Sequence, residues 1–236
     1  MVTFLRAKMD QWWAVQRQRY LDEFFESHPS AAITEVIYND PAGRFMDWAE
    51  ENILGPLEKA LGREKAKKER IKLEHEVEER LMPFMFIQRP YDAHLGDGRP
   101  STVFVNAGSF SGLTEEGFEV ALGVHEYTHC EDYQKGLDIG GLVLKQEHES
   151  RINRALFRMV LETRAWSKEL AVFRKRKRPM FTGKSFEEGY KLSVDTMREN
   201  WLEPLQRYGT YWPDNERITK LEKQLKAYTL AHFSVG

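Results

Sequence analysis

The 236-residue sequence contains a single cysteine, Cys130. That excludes an internal disulfide and any zinc ribbon or finger built on several thiols. No 18 apolar residues occur in succession, so no transmembrane helix is expected. The first residues carry Arg6, Lys8 and Asp10 and lack the apolar stretch and small-residue cleavage site of a secretory signal. Neither sign of charge dominates: 35 Lys and Arg stand against 37 Asp and Glu, which leaves no whole-molecule field directed at nucleic acid or an anionic membrane. These absences point to a cytoplasmic protein with neither membrane nor nucleic acid as a partner. They leave the oligomeric state open.

What is present is enough to build a core, with 14 Phe, 9 Tyr and 6 Trp in a chain that is 41% hydrophobic. Periodicity predicts a helix over 3–27 and a second from Asp40 as cap and Pro41 at the first helical position. A break is expected at "LGPL" or "LGRE", before a highly charged helix whose thin apolar stripe is Ile71, Leu73, Val77 and Leu81. The runs "PFMFIQRP" and "STVFVNAG" are aromatic and β-branched and read as short strands around turn chemistry. Helices follow at 115–136, about 147–176, 185–207 and 214–232. The predicted class is α+β and mostly α-helical, with a small sheet before the 115–136 helix and a helical C-terminal part. A helical region 1–82 precedes a core of 83–236, unless the two form one continuous domain.

The chemistry lies in "ALGVHEYTHCEDYQKG", residues 121–136. Thr114 is placed to cap this helix, Glu115 and Glu116 sit in its first turn, and Gly136 is placed to end it. At about 100° per residue, Phe118, Leu122, His125, His129, Asp132 and Tyr133 share one face. Imidazoles at i and i+4 stand about 5–6 Å apart at Cβ and can converge on one ion. Glu126 is offset by about 100°, which suits a proton acceptor for a metal-held water better than a third ligand. His-Glu-x-x-His arises by chance only about 0.02 times in a chain of this composition. The competing reading is a pair of hydrogen-bonded core histidines, or a structural metal, in a non-catalytic helical scaffold or interaction protein.

"HEYTH" resembles the zincin metallopeptidases. The resemblance implies a zincin-like core from about Thr102 to beyond Glu162, with Zn2+ as cofactor, His125 and His129 as ligands and Glu126 as general base. Zinc-dependent hydrolysis of a peptide or protein substrate is the activity it implies. "FVNAG" at 104–108 is similar to the edge strand that binds substrate backbone in thermolysin-like enzymes. The metzincin spacing is absent, because Asp132 and Lys135 stand where glycine and histidine are required.

A third ligand therefore comes from farther along. Glu162 lies at the edge of the stripe Ile152, Ala155, Met159, Trp166 and Phe173, where an unpaired carboxylate is costly. The step from Glu162 to Ala165 also looks like the Glu-x-x-Ala of many gluzincins. Alternatives are His148, as in Spartan-type three-histidine sites, the neighbouring Glu147 and Glu149, and Asp138. Asp132 is read either as a hydrogen-bond acceptor for an imidazole or as a surface residue. Arg164, Tyr190, Tyr208, Tyr211 and His232 are the candidates to stabilise an oxyanion. Cys130 is read as a small buried residue. The run "RKRKR" at 174–178 is assigned to the helix dipole, in preference to a nucleic-acid patch.

Overall fold

The computed structural model describes residues 33–37, 41–76, 85–105, 112–209 and 218–233. The helix expected at 3–27, the Asp40 cap, Val77 and Leu81, Asn106 to Gly108, and Tyr211 lie outside them. The chain is mostly helical with small sheets, and no helix among the described residues is long and apolar enough to cross a membrane. It divides into two compact units: 1–93 with 99–112, and 94–98 with 113–236. The strands before the motif helix group with the first unit.

In the first unit, strand β1 (Ile33–Ile37) runs parallel to β3 (Ser101–Val105), which pairs antiparallel with β2 (Met85–Gln88). β3 is thus the central strand. Helix α1 (Pro41–Ala49) continues through a widened π turn, Glu50–Leu54, into α2 (Gly55–Leu61). Phe45 packs edge-on against Phe104 at 5.2 Å between ring centres, in a core with Ala49, Ile53, Leu54 and Leu73. The helix breaks at Gly62 (φ +90°), the "LGRE" site, and resumes as α3 (Arg63–Glu76). The apolar stripe expected on α3 is corrected in part: Leu73 is buried together with Ala66, while Ile71 is exposed.

The chain passes "LGPL" without a break because the π turn accommodates the proline. Pro56 has no N–H and its ring would press on the Asn52 carbonyl. Gly55 N–H instead donates to Glu50 O, one residue farther back than an α-helix requires. The freed Asn52 carbonyl accepts Tyr91 N–H at 2.9 Å. A second Glu-Asn-x-Leu-x-Pro-Leu stretch, Glu199 to Leu205, behaves alike. There α8 (Phe186–Met197) passes through the π turn Arg198–Leu202 into α9 (Glu203–Arg207).

In the second unit, the motif helix consists of α4 (Glu115–Val120), a π turn Ala121–Glu126, and α5 (Tyr127–Lys135). The Thr114 hydroxyl accepts Gly117 N–H, as its position predicted, and Gly136 (φ +89°) ends the helix. A two-stranded hairpin, β4 (Leu137–Asp138) and β5 (Val143–Leu144), leads to the short α6 (Gln146–Glu149). The single helix expected from residue 147 to 176 is interrupted after α6. Asn153 takes the Ala155 N–H on its side chain and restarts the chain as α7 (Arg154–Arg176), the competition with backbone bonding that makes asparagine a capping residue.

Leu137, Leu144, Leu156, Val160, Leu205 and Leu225 form the main core here, joining α7, α9 and α10 (Lys220–His232) to the hairpin. Glu222 is buried among them. It accepts Thr219 N–H to cap its own helix and Asn153 N–H at the start of α7, both at 2.9 Å. The start of the motif helix is tied to the segment after α7. Thr114 N–H donates to Met180 O, its hydroxyl donates to Pro179 O, and Arg176 and Arg178 pair with Glu116. Part of the basic run is therefore engaged with the acidic first turn of the motif helix.

This seam requires a glycine. A Cβ on Gly117 would stand 2.2 Å from Met180 O, whereas one on Gly112 would meet nothing within 4 Å. Gly117→Ala is expected to destabilise the protein by about 1–3 kcal/mol in chemical denaturation, and Gly112→Ala to stay within about 0.5 kcal/mol of the parent. Equal midpoints for the two variants would contradict the close approach.

Candidate metal centre

His125 and Glu126 lie in the π turn of the motif helix, and His129 lies one turn on, in α5. Proline explains the other two widened turns among the described residues; this one contains none. Tyr127 N–H reaches back five residues to Leu122 O, so the wide turn ends on the histidine and glutamate, and π turns are frequent at functional sites.

The two Nε2 atoms stand 3.3 Å apart. Glu162 Oε2, from α7, is 3.5 Å from His125 Nε2 and 3.8 Å from His129 Nε2. A tetrahedral ion about 2.0–2.2 Å from each of three donors requires them to be roughly 3.3–3.6 Å from one another. The observed triangle is close to that size. It comprises the one group of three or more possible ligands among the described residues. Two imidazoles and a carboxylate suit zinc and other divalent first-row ions alike, so the donor set fits a metal without naming it.

Glu169, two turns beyond Glu162 on α7, completes the arrangement. Its carboxylate lies 2.8 Å from His125 Nδ1, and a carboxylate oxygen there accepts from the ring N–H. Nδ1 must carry the hydrogen, which leaves the Nε2 lone pair for an ion, the outer-shell arrangement that fixes a ligating histidine's tautomer. Glu169 is not among the residues expected at the site from the sequence. The signal was its spacing, since i and i+7 on one helix face the same neighbour. Trp166, between the two glutamates, meets the His125 ring edge-on at 5.3 Å.

The electrostatics follow from burying this much charge together. Burial lowers the pKa of His125, but hydrogen bonds to Glu162 and Glu169 and the charges of Glu169 and Glu126 outweigh it and hold the imidazole well above its ordinary value. Burial raises Glu162, and its bonds to both histidines overcome that and hold it far below the usual carboxylate range. Glu126 moves the other way: burial pushes its pKa up, against the lowering influence of the two histidines.

Most rival ligands are placed elsewhere. His148 Nδ1 accepts Lys145 N–H at the start of α6, and the Asp138 side chain accepts Gly141 N–H in the hairpin turn. Glu149 accepts Leu95 N–H. None of these, nor Glu147, joins the converging group. Asp132 is neither exposed nor bonded to an imidazole: it is buried and held by both Nε and Nη2 of Arg164. Arg164, one of the oxyanion candidates, is engaged with Asp132 and the Asp138 carbonyl. Tyr190 packs with Val120, Phe173 and Met180, Tyr208 packs in the main core, and His232 stacks on Tyr228. Cys130 is buried, as read.

No model of a known protein family matches the chain, and no curated protein or solved structure matches it.

Replacing His125, His129 or Glu162 by Ala is expected to abolish stoichiometric metal binding, with His148→Ala retaining it. Glu169→Gln should weaken binding by about 10–100-fold. Binding must displace the proton that the raised pKa keeps on His125. Affinity should therefore rise with pH through neutrality, with proton release visible in calorimetry as a dependence on buffer ionisation enthalpy. Metal retained in Glu162→Ala and lost in His148→Ala would refute the assignment.

Proposed function

We propose that the chain is a zinc-dependent peptidase in which His125, His129 and Glu162 hold the ion and Glu126 is the general base. One observation carries this reading: three ligand-type atoms converge at the edge lengths of a metal tetrahedron, with Glu126 next in sequence to one of them. A closed structural zinc site uses four protein ligands, and three converge here among the described residues.

When bound, the ion supplies Lewis acidity, which lowers the pKa of a water toward neutrality and polarises a carbonyl oxygen. Glu126 takes the proton of the attacking water as the new C–O bond forms. It returns that proton to the departing amine nitrogen as the C–N bond breaks. Its upward-shifted pKa suits both halves of that exchange, because a carboxylate nearer neutrality is a stronger base and gives up the proton at working pH. Glu169 holds the His125 ring through Nδ1, and Trp166 packs against that ring, so the ligand is oriented before substrate arrives.

Glu126→Gln preserves shape and removes the proton acceptor. The expected result is unchanged metal content and thermal midpoint, with turnover of a mixed peptide library reduced by about 10²–10⁴-fold. If the variant loses its metal, Glu126 is structural. Unchanged turnover, or a parent that binds metal and cleaves nothing, would favour the scaffold reading.

A further inference from the structure

Between α5 and α7 lies a second buried polar contact that the proposed chemistry does not use. Asp132 is one turn beyond His129, and Arg164 is two residues beyond Glu162. Arg164 Nε donates to Asp132 Oδ2 at 3.1 Å and Nη2 donates to Oδ1 at 3.0 Å. Its remaining Nη1 donates to the Asp138 carbonyl at 3.3 Å, just past the end of the motif helix, and the guanidinium lies 4.9 Å from the centre of the Phe233 ring. Both partners are buried, with 4% of Asp132 and 9% of Arg164 exposed.

A buried ion pair is weak evidence of stability. Desolvating both charges offsets much of their attraction, and well-packed apolar replacements are often neutral. The planar fork does supply geometry: two parallel bonds to one carboxylate fix both distance and rotation, which a lysine ammonium cannot do. At 1.5 Å of rise per residue, the fork is only about 4–5 Å along the helix axis from His129 and about 3 Å from Glu162. A slip or roll of α7 on α5 would therefore open the fork and the ligand triangle together.

We infer that Asp132 and Arg164 are a positioning pair that sets the separation of His129 and Glu162. The inference rests on the metal reading above and goes beyond it, because neither residue touches an ion or substrate. Without the fork the helices still pack, but the three donor atoms no longer keep the spacing that an ion requires.

The test uses the full chain freed of metal by chelation, with cobalt(II) as probe, since its visible bands report coordination geometry. Three proteins are compared: the parent, Arg164→Lys, and the apolar double variant Asp132→Leu with Arg164→Met. Thermal midpoints are measured without metal, and affinity and spectrum with it. Expected is a double variant with a metal-free midpoint near the parent's, and, for both variants, cobalt affinity weaker by about 10–100-fold with altered bands. Parent-like affinity and spectrum in folded variants would overturn the inference and leave the metal reading intact. So would an affinity loss that merely tracks the fall in metal-free midpoint, with unchanged bands. If the double variant does not fold, Arg164→Lys, which keeps the charge, decides by the same readouts. A parent that binds no cobalt overturns the metal reading itself, and the inference with it.

Discussion

Burial of charge between two helices is the constraint on which the second unit depends. The motif helix brings His125, His129 and Asp132 into its contact with α7, and α7 brings Glu162, Arg164 and Glu169. In an apolar interface each of these would cost several kcal/mol unmatched. Each is instead met by a specific partner: Glu169 by the Nδ1 edge of His125, Asp132 by the Arg164 fork, and Glu162 by the two Nε2 edges. Ala165, fully buried on α7, is small enough to let the helices approach.

Local backbone chemistry was the most legible part of the sequence. Thr114 and Gly136 bound the motif helix where short-range rules put them, because a cap needs only its own side chain and the next few N–H groups. The break at Gly62 follows equally from one residue. Less legible were features that depend on a distant part of the chain. The interruption at Asn153 is stabilised by Glu222, 69 residues away. The pairing of Asp132 with Arg164 spans 32 positions, and no periodicity marks two opposite charges as partners. Glu162 was reached because a carboxylate on an apolar stripe needs an explanation wherever its partner comes from. Glu169 needed one further step along the same face.

The π turns show why proline alone is a poor guide to helix ends. Glu51 to Leu57 and Glu199 to Leu205 each place a proline inside a helix that continues. The cost is one widened turn and one carbonyl that must find another donor, as Asn52 does in Tyr91. The widened turn at His125 follows no such rule. It shifts the helical phase at the two residues on which the proposed chemistry turns.

The bond between Thr114 and Met180 also has a temporal side. It joins positions 66 residues apart, and the chain between them contains both histidines, Glu126, Glu162 and Glu169. A loop of that length closes late, after shorter-range contacts have formed. On the ribosome, where synthesis proceeds at about 5–20 residues per second, the motif helix emerges several seconds before the segment that anchors its start. During part of that interval the histidine face still lacks its α7 partners Glu162, Trp166 and Glu169, and the anchor at Met180 follows only after they have been made.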